Sequence, residues 1–206
     1  MKEVFNMNNK FDFEKVQEAT KQLLVAMGQD IERPGLKETP RRVAGYWQEL
    51  LEGENYTNKE IAEKFKKDFI VSHSNLVVKE VKNVYSHCEH HLALMFNGTV
   101  YVAYIPIEEQ DGYKVLGLSK IDRIVDLCSK RLQLQEKLAS DIAECISIAT
   151  GSKLVYVQIV MNHGCVSARG PKSEGVTDVT YISDLLKLNE QARQEIETKI
   201  ANLRRN

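Results

Sequence analysis

The segment Tyr-Ser-His-Cys-Glu-His-His, residues 85–91, places one cysteine and three histidines within seven residues. Thiolate sulfur and imidazole nitrogen are ligands that zinc prefers in proteins. Cys88 and His91 are separated by two residues, a spacing at which both side chains can reach one ion. A single Cys-x-x-His pair is weak evidence, so the rest of a metal site must come from elsewhere in the chain.

A second fragment, Asn-His-Gly-Cys, can supply the remaining ligand. His163 and Cys165 alternate there at the end of a predicted strand, so both can point to one side. Three such ligands plus water form an open, catalytic type of zinc site, in which the water becomes a nucleophile near neutral pH. Our preferred ligands are Cys88, His91 and Cys165. His90 and His163 are then candidate acids and bases beside the metal.

Two other interpretations stay open at this stage. One of the two fragments can be a hydrogen-bonded polar cluster that holds no metal. A closed structural site would instead recruit His163 or His90 as its fourth ligand. The other two cysteines, Cys128 and Cys145, lie within helical patterns and are expected to be buried, unreactive thiols.

Cationic residues close to these fragments point to an anionic substrate. Ser119, Lys120 and Arg123 open a predicted helix, where backbone N–H groups and the helix dipole favour anions. Arg169 follows the second metal fragment, and Arg41 opens another helix. Phosphate contacts are our interpretation, and solvated surface groups are the alternative.

Gln135 and Glu136 are adjacent polar residues in the segment 131–138. A carboxylate beside an amide can pair with neighbouring N–H donors on a base edge, in particular that of guanine. Taken alone, these two residues also fit an exposed helix turn.

Composition excludes several classes of protein. The 206 residues are 43% hydrophobic and 28% charged, as in soluble globular proteins, and the net charge of −1 argues against general binding to nucleic acid or membrane surfaces. Apolar runs are too short to span a membrane, and residues 1–16 lack the apolar core of a secretory signal. The four cysteines include no Cys-x-x-Cys pair, so we expect a cytoplasmic protein without disulfides.

Residue patterns predict a helical N-terminal segment, 1–70, followed by a domain at 71–206. In the first part, Pro40 fits the start of a helix, and Thr57 with Glu60 forms a capping box. In the second, strands are predicted at 75–86, 98–106, 153–165 and 175–183, with Asn97-Gly98 as the turn between the first two. Helices are predicted at 118–151, broken around 130–135, and at 189–206.

This order of elements favours antiparallel strand pairing and an α+β fold. Four strands covered by helices on one face leave edges and apolar surface exposed, so association with copies of the same chain is expected.

Several segments together resemble the GTP cyclohydrolase I family, in order and at compatible spacing: 35–47, 88–91, 102–106, 117–126, 131–138 and 163–170. The resemblance covers roughly residues 12–203. It implies a T-fold domain, an antiparallel four-stranded sheet with helices on one face. It also implies a ring-shaped homodecamer with active sites between subunits. The implied reaction is hydrolysis of GTP to 7,8-dihydroneopterin triphosphate and formate, the first step of pterin and tetrahydrofolate biosynthesis.

The resemblance also implies roles for individual residues. Zinc would be held by Cys88, His91 and Cys165, and zinc-bound hydroxide would attack C8 of the purine. His163 would donate a proton to the imidazole nitrogen, and His90 would assist proton transfer during ring opening.

The remaining implied roles concern the substrate. Glu136 with Gln135 would hold the guanine edge, and Ser119 would serve the ribose steps after ring opening. The triphosphate would be bound by Lys120, Arg123 and Arg169, with Arg41 contributed from a neighbouring subunit.

The chain departs from the family pattern at three places. Segments 92–98 and 107–114 carry extra residues, expected to lie in loops where insertions cost little. Gly164 stands where relatives have a larger residue and is expected to loosen the second metal fragment.

Two alternatives to this function remain. They are a divergent family member that acts on another pterin or purine, and a non-catalytic assembly stabilised by zinc. The signature of a zinc nucleoside deaminase is absent from the sequence.

Overall fold

The computed structural model describes residues 11–205 of the chain. These residues form two compact units, one ending at Asn55 and the other beginning at Tyr56. Among the described residues, no helix is both long enough and apolar enough to cross a membrane. The domain boundary proposed after residue 70 stays a prediction.

The first unit is helical. Its elements are helices α1 (Phe13–Ala26) and α2 (Thr39–Leu50) and a short 3₁₀ helix (Glu52–Asn55). Asp12 caps α1 by accepting a hydrogen bond from the backbone N–H of Lys15. Pro40 lies in the first turn of α2, where its missing N–H leaves no bond unmade. The two long helices pack against each other.

The second unit combines helices with two sheets, which confirms the predicted α+β class. Its helices are α3 (Asn58–Phe65), α4 (Leu118–Ser129), α5 (Gln135–Thr150), α6 (Gly164–Ser167), α7 (Asp184–Lys187) and α8 (Glu190–Leu203). Its strands are β1 (Asp68–Val71), β2 (Val77–Cys88), β3 (Ala93–Tyr104), β4 (Ile107–Glu109), β5 (Gly112–Leu116), β6 (Leu132–Gln133), β7 (Val155–His163) and β8 (Thr177–Ile182). The predicted break between α4 and α5 is present.

The main sheet has the strand order β6-β2-β3-β7-β8. Its four long strands pair antiparallel, as expected for a T-fold, and the two-residue β6 runs parallel to β2. A smaller sheet has the order β1-β5-β4. Segment 107–114 therefore contributes a β-hairpin to this second sheet, where the sequence analysis expected a loop.

The predicted turn at Asn97-Gly98 is wrong. Both residues lie inside β3, where the pairing with β2 is irregular and Gly98 lies opposite Val84. A Cβ atom at Gly98 would come within 2.4 Å of the Val84 carbonyl oxygen, so the close approach of the two strands requires glycine. The turn between β2 and β3 instead spans 89–92, which places His90 and His91 at an exposed end of the sheet.

Helices cover both faces of the main sheet, whereas helices on one face were expected. Val100 and Val102 of β3 belong to a core that includes the buried residues of α4 and α5. Tyr101 and Ala103 alternate with them and therefore face the other side. There they cluster with apolar residues of α7 and α8, such as Ile196.

A buried ion pair joins three elements beside the main sheet. The side chains of Arg131 and Asp141 are 8% and 9% exposed, and their Nη1 and Oδ2 atoms are 3.0 Å apart. Asn58 of α3 bridges them, accepting from Arg131 and donating to Asp141. Gln133 of β6 and Lys137 of α5 also donate to the carboxylate.

This network fixes the chain immediately before α5. Burial raises the pKa of Asp141, but hydrogen bonds from Lys137, Gln133 and Asn58 more than offset this, and the net pKa is below the ordinary value of an aspartate. The carboxylate is therefore held in its charged form, and it neutralises the buried guanidinium.

Asp141→Asn should lower the free energy of unfolding by about 3–5 kcal/mol at pH 7, because it leaves the Arg131 charge buried and uncompensated. A carboxylate with a depressed pKa in the folded state stabilises the fold above its unfolded pKa, so the difference should shrink as the pH falls below about 4. Urea unfolding at several pH values measures both effects.

The matched control is Asp126→Asn, which removes a carboxylate 63% exposed and paired with Lys130 on the surface. Its effect should stay within about 0.5 kcal/mol. Equal losses in the two variants would contradict a special role for the buried pair.

Candidate active site

The ends of two strands bring the two sequence fragments together. Cys88 is the last residue of β2 and lies opposite Ala93 of β3. His163 is the last residue of β7 and lies opposite Met95 on the other edge of β3. Cys165 follows within α6. The central strand β3 thus positions both fragments at one end of the sheet.

Gly164 allows this approach. A Cβ atom at this position would lie 3.0 Å from the carbonyl oxygen of Leu94 in β3, which is tighter than an ordinary contact. Glycine therefore lets the chain carrying Cys165 pass close to β3, and the expected loosening of the fragment is not seen.

Three potential ligand atoms converge at this end of the sheet. The sulfur atoms of Cys88 and Cys165 and a ring nitrogen of His163 all lie within 4.8 Å of one another. Ligand atoms of a tetrahedral zinc site are separated by about 3.5–4 Å, so small side-chain adjustments suffice. Two thiols and an imidazole are a donor set that zinc favours.

The electrostatics of the two thiols favour a cation. Cys88 is buried, with 5% of its surface exposed, and Cys165 is half-buried. Burial, followed by the neighbouring Cys88 thiol, raises the pKa of Cys165. Two thiolates side by side therefore cost considerable free energy, which a bound divalent cation offsets.

His91, a preferred ligand on the basis of its spacing from Cys88, lies outside this group. Its side chain is exposed, and its Nε2 atom is 3.0 Å from an Nη atom of Arg169. The neighbouring His90 ring is also exposed, with its centroid 6.5 Å from that of His91. The structure thus groups His163 with the two thiols, and the assignment of His91 as a ligand stays a prediction.

A cavity of about 530 Å³ opens above the thiols. Its lining includes six of the predicted site residues: Cys88, His90, Gln135, Glu136, His163 and Cys165. Sequence reasoning missed its other walls, formed by Leu134, Val166 and Thr177, because nothing in their type or spacing signals a site.

Gln135 and Glu136 differ although they are neighbours in the first turn of α5. Gln135 is 2% exposed, and its Oε1 atom is 2.7 Å from Nε2 of His163. Glu136 is exposed and lies near enough to act on His163 through its charge. Burial lowers the pKa of His163, and the Glu136 carboxylate acts in the opposite direction.

The predicted phosphate-binding residues of α4 do not line the cavity. Ser119 and Arg123 are exposed and Lys120 is half-buried, all within the first two turns. The helix is preceded by Gly117 and has no side-chain cap. Uncapped N–H groups at this helix start favour an anion.

Arg41 belongs to the helical first unit. It lies in the first turn of α2, where its Nε atom is 3.2 Å from a carboxylate oxygen of Glu38. Its contribution to a substrate site stays a prediction.

Cys128 and Cys145 are fully buried between α4 and α5, as expected, with their sulfur atoms 3.7 Å apart. The neighbouring Cys145 thiol, together with burial, raises the pKa of Cys128 well above that of an ordinary thiol. Cys128 is therefore a poor nucleophile, and both cysteines lie outside the site.

The chain is similar to known proteins over most of its length. The family model for GTP cyclohydrolase I matches residues 16–201. A protein named GTP cyclohydrolase 1 from Clostridium beijerinckii is 42% identical over 196 residues, covering 92% of this chain and 97% of the relative. Proteins of the same name from Clostridium acetobutylicum and Clostridium botulinum are 44% and 46% identical, each covering 82% of this chain and 87% of the relative.

Among solved structures, the archaeosine synthase QueF-Like in its apo form is 22% identical to this chain. The match covers 54% of this chain and 96% of the synthase chain. Its TM-score of 0.41 is too low to support a conclusion. The family model and the clostridial relatives each cover most of the sequence. The chain belongs to the GTP cyclohydrolase I family.

Proposed function

We propose that this chain hydrolyses GTP to 7,8-dihydroneopterin triphosphate and formate. The observation that carries the proposal is the convergence of Cys88, Cys165 and His163 beneath a cavity that also contains His90 and Glu136. A pair of thiols that can bind a metal, two imidazoles and a carboxylate are the chemical groups that hydrolysis of a purine ring requires.

The donor set fits zinc, and we assign Cys88, Cys165 and His91 to hold it. Bound zinc would supply a Lewis acid that activates water for hydrolysis. His91 lies in the turn 89–92 with an exposed side chain, so rotation about its side-chain bonds can bring it towards Cys88. His163 is bonded through Nε2 to the buried amide oxygen of Gln135, so its ring is held in place beside the two thiols.

His163 and His90 would carry out the proton transfers. Purine C8 is a poor electrophile until its five-membered ring is protonated, so an acid has to act while water attacks. Burial lowers the pKa of His163, which makes its protonated form a stronger acid. We assign His163 to protonate the imidazole nitrogen of the purine and His90 to assist ring opening.

Glu136 would orient the guanine. Its exposed carboxylate lies at the start of α5 and lines the cavity, where it can accept hydrogen bonds from the N–H groups of the guanine edge. The sequence predicts that Gln135 shares this contact with guanine. Ser119 would serve the ribose rearrangement that follows ring opening.

The triphosphate site would be completed by a neighbouring copy of the chain. Lys120, Arg123 and Arg169 are not among the residues that line the cavity of their own chain, and Arg169 lies beside His91. The family resemblance implies active sites between subunits of a ring-shaped homodecamer, with Arg41 as a further phosphate contact. We therefore place the start of α4 at the cavity of an adjacent subunit.

The product would enter pterin and tetrahydrofolate biosynthesis in the cytoplasm.

Binding energy from the triphosphate would hold the purine in register during several chemical steps.

Zinc-loaded protein incubated with GTP should release formate and a pterin in equal amounts, measured by a formate assay and by fluorescence of the oxidised pterin. Cys165→Ala should reduce both by about 100-fold or more, because it removes a metal ligand. The matched control is Cys145→Ala, a thiol in the core, which should keep the activity. Formate without pterin would indicate a divergent enzyme. The absence of both products would favour a structural zinc site.

The zinc content of two variants shows whether His91 or His163 is the third zinc ligand. His91→Ala should lose most of its zinc, whereas His163→Ala should retain about one zinc per chain and lose formate release. Elemental analysis after dialysis measures the stoichiometry. The reverse result would assign His163 as the ligand and contradict its role as an acid.

Mixing two inactive variants tests whether sites are shared. In a co-assembled equal mixture of Cys165→Ala with the double variant Lys120→Ala, Arg123→Ala, about a quarter of shared sites would contain only wild-type residues. Activity should therefore return to about one quarter of the wild-type value on this statistical basis. No recovery in mixed oligomers would show that each site uses α4 of its own chain.

A further inference from the structure

Both polar atoms of the Gln135 side chain form hydrogen bonds. Its Nε2 atom donates to two backbone carbonyl oxygens, that of Ile159 in β7 at 2.8 Å and that of Thr177 in β8 at 3.0 Å. Its Oε1 atom lies 2.7 Å from Nε2 of His163. Because Gln135 is only 2% exposed, water cannot readily replace these partners.

These contacts fix which way the amide group points. A carbonyl oxygen can only accept a hydrogen bond, so the atom that faces Ile159 and Thr177 has to be the amide nitrogen. The reversed amide would place its oxygen against two other oxygens, and both backbone acceptors would lose their donor. Oε1 therefore faces His163 as an acceptor.

The protonation of the histidine follows from the same chain of contacts. Since Oε1 only accepts, the Nε2 atom of His163 has to carry the hydrogen. The nitrogen that remains for chemistry in the cavity is Nδ1, which has to take up a proton before His163 can act as the proposed acid. A hydrogen bond from one ring nitrogen to a fixed oxygen is also what holds a histidine ring at a set orientation.

We infer that Gln135 is a positioning residue, which holds the His163 ring in one orientation and in the tautomer with hydrogen on Nε2, and so presents Nδ1 to the cavity. This role rests on the proposed function only where it concerns catalysis. It differs from the contact with guanine predicted from the sequence, since the buried amide is already bound to three partners within the chain.

Gln135→Met keeps the length of the side chain and removes both the acceptor and the donor. In zinc-loaded protein, kcat for formate release should fall by about 10–100-fold, as for other groups that orient a catalytic side chain. The dissociation constant of GTP, measured by equilibrium binding, should stay within about twofold, because no substrate contact is lost. A guanine contact predicts the opposite, weaker GTP binding.

The matched control is Gln158→Met. Gln158 also lies in β7 and donates to a side chain of β8, the Asp178 carboxylate at 2.9 and 3.0 Å, but it lies outside the cavity. This variant should retain both kcat and GTP affinity. A similar loss of kcat in both variants would show that any weakening of the β7–β8 pair impairs the enzyme, and it would overturn the specific role of Gln135.

The tautomer can be observed without any reaction. The chain has five histidines, so ¹⁵N-labelled histidine gives a small set of ring signals, and the spectrum of His163→Gln identifies those of His163. Wild-type protein, with and without zinc, should show hydrogen on Nε2 of His163, and Gln135→Met should show a mixture of both neutral tautomers. Hydrogen on Nδ1 alone in the wild type would overturn the inference.

This measurement separates two kinds of failure. A protein that forms no product but shows the Nε2–H tautomer contradicts the proposed function and leaves the positioning contact intact. The wild-type spectrum also decides the question if Gln135→Met does not fold.

Discussion

Strand β3 is hydrogen-bonded to β2 along one edge and to β7 along the other, with Cys88 opposite Ala93 and His163 opposite Met95. A shift of either pairing by one residue would turn every side chain of that strand to the other face. The apolar core on one face and the cluster under α8 on the other resist such a shift. The position of the potential metal ligands is therefore set by the burial of distant apolar residues.

The start of α5 depends on a second constraint. Gln133 pairs with Cys88 through β6, and its side chain also donates to the buried carboxylate of Asp141. Because Asp141 neutralises Arg131 inside the protein, the network tolerates little movement. The residues that follow, at the first turn of α5, are thus held relative to the thiols by a charge pair that takes no part in chemistry.

Local chemistry was predictable from the sequence, and long-range register was not. The capping box of Thr57 and Glu60 is present because it involves neighbouring residues alone. Asn97-Gly98 has the composition of a tight turn, but the pairing of β2 with β3 continues through it, and the real turn contains His91. Family resemblance identified the residue types of the site, whereas the contact between His163 and a buried amide required the folded chain.

Gln135 and Glu136 show why adjacent residues in one motif take different tasks. Successive side chains of an α-helix point about 100° apart, so Gln135 and Glu136 leave the helix in different directions. Gln135 is directed into the β7–β8 edge, where two carbonyl groups fix its amide, and Glu136 remains exposed at the cavity. Under the proposed function, this helix start supplies one group that orients the histidine and one charge for the substrate. Because both depend on the same first turn of α5, movement of that turn would then change proton transfer and guanine binding together.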